Sequence, residues 1–403
     1  MNARKGILGR ELADMRMREQ SAVSFELPAA VAVADENALL TSRVYVEAQH
    51  PYRGAFARDC GRILHAKAFR RLAGKTQVFT RQAAESDHSR SRLTHTLEVA
   101  QIARTIAAAL GLNVALAEAL ALVHDIGHPP FGHAGEKALD AALRGHALRF
   151  DHNLHALRIV TNFEERYAAF PGLNLSFGVR EGIIKHSRDY SEAEYPELSE
   201  YLLDQQAPLE AQLIDLADEI AYLTADIEDG LAAGILDQAT LRDEVPFYAE
   251  AFAAAECLYP ASAATLLSNE ALKTMLNRLA TDLMQETAWQ VRSAGVMNLE
   301  TVRRWPERLV RLSDAMEEER VRTKEFLYAH LYNAPEMRVG HARAAEVVES
   351  LFAAWVAEPE QMPADHLARA KEEGVPRAVS DYIAGMTDAY IEQAWERHLA
   401  KKS

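Results

Sequence analysis

The sequence predicts an all-α protein, and three observations carry that reading. Gly (19) and Pro (14) together make up about 8% of the 403 residues, below the roughly 12% of an average protein, which favours long helices over turn-rich strands. Apolar residues recur at helical spacing through most of the chain from Arg58 onward. The breaks between these stretches carry Gly and Pro, the residues that stop helices.

Taken in order, residues 1–57 read as an N-terminal arm. Glu26 to Leu40 holds Ala and Val without helical order, and His50-Pro51-Tyr52-Arg53-Gly54 reads as a turn. Leu93, Leu97, Ala100, Ala103, Ala107 and Leu110 then repeat on one helix face, and Gly111 ends that helix. A second helix runs from Val114 to His124 and is broken by Gly127, Pro129 and Pro130. A third begins near Gly132, and a fourth spans about Asp151 to Asn162. From Pro208 to Asp229, Leu209, Leu213, Leu216, Ile220, Leu223 and Ile227 share one side. Asp215, Asp218, Tyr222, Asp226 and Asp229 share the other, where Asp215, Glu219 and Asp229 read as a solvated face. Residues 301–333, 341–358 and 375–399 read as amphipathic helices. No fixed-period repeat or linker divides the chain. It reads as a helical core over 58–230, with the arm before it and a helical C-terminal region, 231–403, packed on it.

Charge and punctuation exclude several classes. With 44 basic and 59 acidic residues the net charge is -15, which argues against broad nucleic-acid binding, since phosphate neutralisation needs a Lys/Arg excess. Two cysteines, Cys60 and Cys257, are too few for a disulfide framework and read as reduced thiols. No targeting segment and no membrane span is visible, so a cytoplasmic protein is expected.

The chemistry concentrates in His124-Asp125-Ile126-Gly127-His128-Pro129-Pro130-Phe131-Gly132-His133-Ala134-Gly135-Glu136. A helix end delivers His124 and Asp125, and the Gly/Pro break can bend both toward one cation. Imidazole with carboxylate suits a borderline divalent ion such as Mn, Fe, Co, Zn or Ni. His95, at the start of an earlier helix, is a further candidate ligand, and so is Asp218, mainly on the resemblance given below. Four such ligands leave positions open for water and a phosphate oxygen. His133 and Glu136 are spaced i, i+3, so the carboxylate can orient the imidazole as general acid, general base or in-line nucleophile.

These residues resemble the HD superfamily, and more closely the bacterial deoxyguanosine-triphosphate triphosphohydrolase family, whose pattern is a His, a His-Asp pair and a distant Asp. Here that pattern is similar to His95, His124-Asp125 and Asp218, within an HD motif region of 92–226. Further matching segments are Phe69–Phe79, Arg92–Val99, Phe150–Asn153, Glu181–His186 and Asp381–Asp388. The resemblance spans about residues 50–395. It implies an HD-domain helical core, and a metal site of His95, His124, Asp125 and Asp218 holding Mn²⁺ or Mg²⁺ in the first instance. It implies His133 with Glu136 as the catalytic pair, and His128 and Arg92 as phosphate contacts. Lys185 and Tyr222 would meet the triphosphate, Asp226 would line the same pocket, Gln77 would meet the sugar 3′-hydroxyl, and His152 would be a further site histidine. The implied reaction turns a dNTP, dGTP among them, into deoxynucleoside and tripolyphosphate. A homo-oligomer and a nucleotide activator are also implied. Val347–Trp355 could form a subunit interface or be buried in the chain's own core.

Two other readings stay open. One is another HD-type nucleotidase or phosphodiesterase, and the other is a non-catalytic nucleotide-binding sensor. The reaction products separate the first, and binding without turnover would mark the second.

Overall fold

A computed structural model describes residues 25–78 and 90–402, and these residues form helices without a sheet. Two isolated bridges, Thr76 with Ser91 and Tyr167 with Phe170, are the nearest thing to strand pairing among them. Short helices α1 (Ala55–Leu64) and α2 (Lys67–Arg71) lead into α3 (Arg92–Leu110), α4 (Val114–Val123), α5 (Gly132–Arg144), α6 (His152–Arg158) and α7 (Phe177–Ile184). The long α8 (Leu209–Ala232) is followed by α9 (Gln238–Glu244), α10 (Pro246–Leu258), α11 (Ala264–Ser293), α12 (Leu299–Arg303) and α13 (Asp314–Leu327). The chain ends with α14 (Pro335–Ala357), α15 (Ala364–Glu373), α16 (Val375–Ala384) and α17 (Asp388–Lys402).

Local chemistry sets the ends of the helices that carry the site. Ser91 Oγ accepts from the Thr94 N–H, and Thr94 Oγ1 accepts from the Ser91 N–H at 3.0 Å, a reciprocal cap that starts α3 three residues before His95. Gly111, at φ 71°, ends it. Asn113 caps α4, and Asp151 caps α6 by accepting from the Asn153 and Leu154 N–H groups.

The buried apolar side chains form two clusters. The larger gathers α1, α3, α4, α7, α8, α10 and α11, with the nearly all-apolar α4 at its centre. The smaller packs Phe131, Ala138, Leu139 and Leu143 of α5 and its entry turn against Val347, Leu351, Phe352 and Trp355 of α14 and Ile383 of α16. Val347–Trp355 is therefore buried in the chain's own core, and the interface alternative for its apolar face falls away. The described part of the N-terminal arm also lies on the core. Val31, Val33 and Leu40 are buried, and the buried Glu210 carboxylate accepts from the Val33 and Asn113 N–H groups, both at 2.9 Å.

Three expected helices are interrupted. The 301–333 stretch breaks between Arg303 and Ser313, because Pro306 has no N–H to donate, and α13 restarts under a Ser313 cap. It then widens into a π-turn over Tyr328–Tyr332. The 375–399 stretch breaks at Gly385-Met386-Thr387, and the 151–162 helix becomes a π-turn at Ile159–Phe163. Both cysteines are free. No helix among the described residues is long and apolar enough to cross a membrane.

The turn between α4 and α5 joins the two clusters, and its packing is close. A Cβ at Gly127 would sit 1.9 Å from the His152 carbonyl oxygen and 2.5 Å from the Ala156 nitrogen of α6. Gly127→Ala is expected to destabilise the fold by about 2 kcal/mol or more, the scale of overpacking. Urea unfolding checks this, and a midpoint equal to wild type would contradict it.

Candidate metal centre and active site

The HD turn brings residues from three helices to one point. His95 Nε2 lies 2.7 Å from Asp218 Oδ1, and His124 Nε2 lies 3.6 Å from the same oxygen and 3.5 Å from Asp125 Oδ1. His95, His124 and Asp218 each offer a ligand atom, and these lie within 4.8 Å of one another. His124 Nδ1 is 2.7 Å from the Ala121 carbonyl oxygen. A carbonyl only accepts, so Nδ1 carries the proton and Nε2 presents its lone pair to the cluster. That Nε2 is buried and has no hydrogen-bond partner in the fold, which is the signature of an atom waiting for a cation. Burial works against charge on His124, but Asp125 and Asp218 outweigh it and lift its pKa to about 9. The two carboxylates thus demand a positive charge here, which a divalent ion supplies in place of a proton. Burial also opposes ionisation of Asp218, yet the facing His124 and His95 rings hold its carboxyl well below the usual range.

Asp125 is aimed by its neighbours. Oδ2 accepts from Arg92 Nη1 at 2.7 Å, and Oδ1 lies 3.0 Å from His128 Nδ1. Burial alone would keep Asp125 protonated, but Arg92, His124 and His128 hold it well below the carboxylate range. For His128, burial and the Arg92 charge hold the pKa well below the imidazole range, so the ring is neutral. It stacks on His152 at 4.1 Å between centroids and meets His133 edge-on at 5.4 Å.

His133 begins α5 with its side chain 66% exposed, the only open imidazole of this group, and its Nδ1 is 3.5 Å from Glu136 Oε2. The other Glu136 oxygen lies 2.8 Å from His152 Nδ1 and accepts from the His152 N–H at 3.1 Å. Burial opposes ionisation of Glu136, but the His133 and His152 hydrogen bonds outweigh it and keep the carboxylate charged. His128, His133 and Glu136 form a second group whose ligand atoms lie within 4.8 Å. A cavity of about 500 Å³ opens over His133 and Glu136, within the range of small-molecule sites. Gln77, Arg92, His133, Glu136, His152 and Tyr222 line it on one side, and Tyr328, Tyr332, Met337 and His341 of the C-terminal region on the other.

Three expected contacts, His128, Lys185 and Asp226, are not on this wall. Lys185 Nζ donates to Glu181 Oε1 at 2.7 Å and to the Leu202 and Gln205 carbonyl oxygens at 2.8 Å. All three of its protons are taken, and the side chain turns away from the cavity. Asp226 is buried behind the wall, where burial lifts its pKa to about 8 and the Tyr332 hydroxyl donates to it. It touches the cavity only through Tyr332, which stacks on Tyr222 at 5.8 Å. The acidic side of α8 is not simply solvated either. Asp215 pairs with Arg308, Glu219 with Arg320 and with Lys324 at 2.8 Å, and Asp229 with Arg90 at 2.7 Å. Phe79 lies outside the described residues.

The structure adds residues for which sequence reasoning had no role. His186 lies beside His124, with ring centroids 5.4 Å apart, and faces Asp215. Lys75 donates from Nζ to the His128 and Ala384 carbonyl oxygens. Asp388 accepts from the Phe131 N–H at 3.0 Å with one oxygen and from the Thr76 N–H at 2.8 Å with the other. The segment Asp381–Asp388 was visible as a familial match, but nothing local tied Asp388 to a turn 257 residues earlier.

These features define a metal-dependent phosphohydrolase of the HD class. The HD domain model matches residues 92–223, and the model of a phosphohydrolase-associated domain matches 310–397. The chain is 43% identical over 385 residues to a deoxyguanosinetriphosphate triphosphohydrolase-like protein of Azoarcus sp. (strain BH72), covering 95% of this chain and 99% of that one. A protein of the same description from Thiobacillus denitrificans is 44% identical over 349 residues, covering 86% and 91%. Another, from Ralstonia pickettii, is 42% identical over 358 residues, covering 89% and 91%. The chain belongs to this deoxyguanosinetriphosphate triphosphohydrolase-like family.

Asp388 fixes the backbone on which His133 and Gln77 sit. Asp388→Ala is expected to lower phosphohydrolase kcat roughly 10- to 100-fold, the cost of misplacing reacting groups, while Mn²⁺ binding persists. Asp388→Asn, which keeps an acceptor, should recover part of the rate. Steady-state kinetics with parallel Mn²⁺ titration checks this, and a wild-type rate in Asp388→Ala would contradict it.

Proposed function

We propose that the protein hydrolyses deoxynucleoside triphosphates, dGTP among them, at the α-phosphate to give deoxynucleoside and tripolyphosphate. One observation carries the reading: Arg92 lines the cavity of about 500 Å³ together with His133, Glu136 and His152, and the same guanidinium donates to Asp125 beside the His95–His124–Asp218 cluster. The description of the relatives, which names deoxyguanosine triphosphate, points the same way.

His95, His124, Asp125 and Asp218 would hold the cation, with Mn²⁺ or Mg²⁺ first and Fe, Co, Zn or Ni also compatible with this N/O set. When bound, a divalent ion supplies Lewis-acid polarisation of phosphorus and activates water. The chain's own residues supply the rest. Arg92 faces the phosphate oxygens, and Gln77, whose Oε1 is buried without a partner, accepts from a sugar hydroxyl. Glu136 stays ionised and is shared by His133 and His152. It orients the open His133 ring to move a proton, or to attack in line, at the scissile P–O bond. Tyr222 closes the wall toward the triphosphate chain.

In this reading the arm (1–57), the core (58–230) and the C-terminal region (231–403) act as one homo-oligomeric cytoplasmic enzyme, and a second nucleotide can activate it. The test supplies purified protein and Mn²⁺ with each of the four dNTPs, a dNTP mixture, GTP and a cyclic dinucleotide, and resolves products by anion exchange. Tripolyphosphate with deoxynucleoside is expected. Pyrophosphate or orthophosphate, or binding without turnover even of the mixture, would overturn the proposal. His133→Ala should keep the metal and lose at least about 10²-fold in kcat.

A further inference from the structure

A second cavity, of about 420 Å³, shares no lining residue with the first. It lies between α2, α6 and the π-turn after α6 on one side and α15, α16 and α17 on the other. We propose that it is a second ligand site, built for a small phosphate-bearing molecule with an apolar or aromatic body.

The argument is a surplus of unused nitrogen. Arg71 Nε, His366 Nδ1 and His155 Nε2 are buried without a hydrogen-bond partner, and His155 is only 2% exposed. Leaving these buried polar nitrogens unmet is costly. Neither Arg71 nor Arg369 has a carboxylate within ion-pair distance among the described residues, although both face the cavity. Arg71 is largely buried, and a guanidinium stays charged under such burial.

The acidic residues nearby do not cancel this charge. The Glu164 carboxylate is taken by the Lys67 and Ala68 N–H groups at 3.0 and 2.6 Å. Asp381 is taken by Arg158 at 2.6 Å, with His155 Nδ1 at 3.3 Å. Glu165 and Asp365 are exposed to solvent. What remains inside is a pair of guanidinium forks, two imidazoles and the rings of Phe163, Tyr382 and Tyr390. Paired forks match a phosphate's oxygens, and the rings match a planar or apolar body. Gly385–Thr387 forms part of the wall and leads directly into Asp388, so the site adjoins the segment that holds the HD turn.

The test is calorimetric titration of the protein as purified with phenyl phosphate, and with benzoate as the carboxylate of the same body. Wild type should bind phenyl phosphate, and binding should survive in His133→Ala/His152→Ala. In Arg71→Gln/Arg369→Gln the affinity should fall at least about tenfold, as expected for loss of bidentate contacts. Arg369→Glu, at a partly exposed position that can be substituted without disturbing the core, should give the same loss and decides the matter if the double variant does not fold. No binding to wild type, unchanged affinity in Arg369→Glu, loss in the active-site variant alone, or equal binding of benzoate would each overturn the proposal.

Discussion

Everything in the site hangs on the eight-residue turn from His124 to Phe131, which must be fixed between two hydrophobic clusters that do not otherwise share side chains. The candidate metal ligands His95 and Asp218 stand on helices of the larger cluster, and His124 and Asp125 follow directly on α4 at its centre. His133 and Glu136 stand on α5, which packs with the C-terminal helices. Only a rigid turn can keep the two sets at a fixed separation. Gly127 lets it press onto α6 with no room for a side chain. Phe131 and Gly132 both adopt left-handed backbone, at φ 64° and 56°, a conformation that costs Phe131 about 1 kcal/mol. Lys75 and Asp388 hold the flanking carbonyl and amide in place, and the C-terminal region forms the outer wall of the cavity.

Electrostatics follows from that packing. Two carboxylates, the buried Asp125 and the partly buried Asp218, face imidazoles at 2.7 to 3.6 Å, so the fold is arranged around positive charge. Arg92 fixes one carboxylate and leaves the other to His95 and His124. A few ångströms on, burial and Arg92 keep His128 neutral, while Glu136 keeps its charge by accepting from two histidines. Acid–base chemistry beside a metal needs such division, with one group locked in each protonation state. The basic residues Arg308, Arg320 and Lys324 return over α8 and neutralise its outer acids. Of the α8 acids left unpaired by arginine or lysine, Glu210 accepts from backbone amides, Asp226 accepts from Tyr332, and Asp218 faces the imidazole cluster.

Much of this was legible in the sequence. The helices of the core follow from apolar periodicity and caps, and His124 to Glu136 stands out as a dense chemical cluster, whereas His95 and Asp218 join it chiefly through the family resemblance. The misses have physical causes. Periodicity cannot see a π-turn such as Tyr328–Tyr332, because the apolar pattern continues through it. A lysine looks like a phosphate ligand until its protons are counted, and those of Lys185 are spent on Glu181 and two carbonyls. The outer acids of α8 read as solvated because the partners that cover Asp215 and Glu219 lie 93 and 101 residues later. Asp388 and Lys75 act on backbone groups across the whole fold, and no local spacing encodes such contacts.

The most direct measurement is the Mn²⁺ content of the dialysed protein, read by electron paramagnetic resonance of free and bound ion in wild type, Asp218→Ala and His133→Ala/Glu136→Ala. If the four-residue cluster holds the cation, wild type and the α5 variant bind about one equivalent tightly and Asp218→Ala binds essentially none. Equal binding by Asp218→Ala and wild type, with loss in the α5 variant instead, would place the ion at His128, His133 and Glu136 and contradict the account.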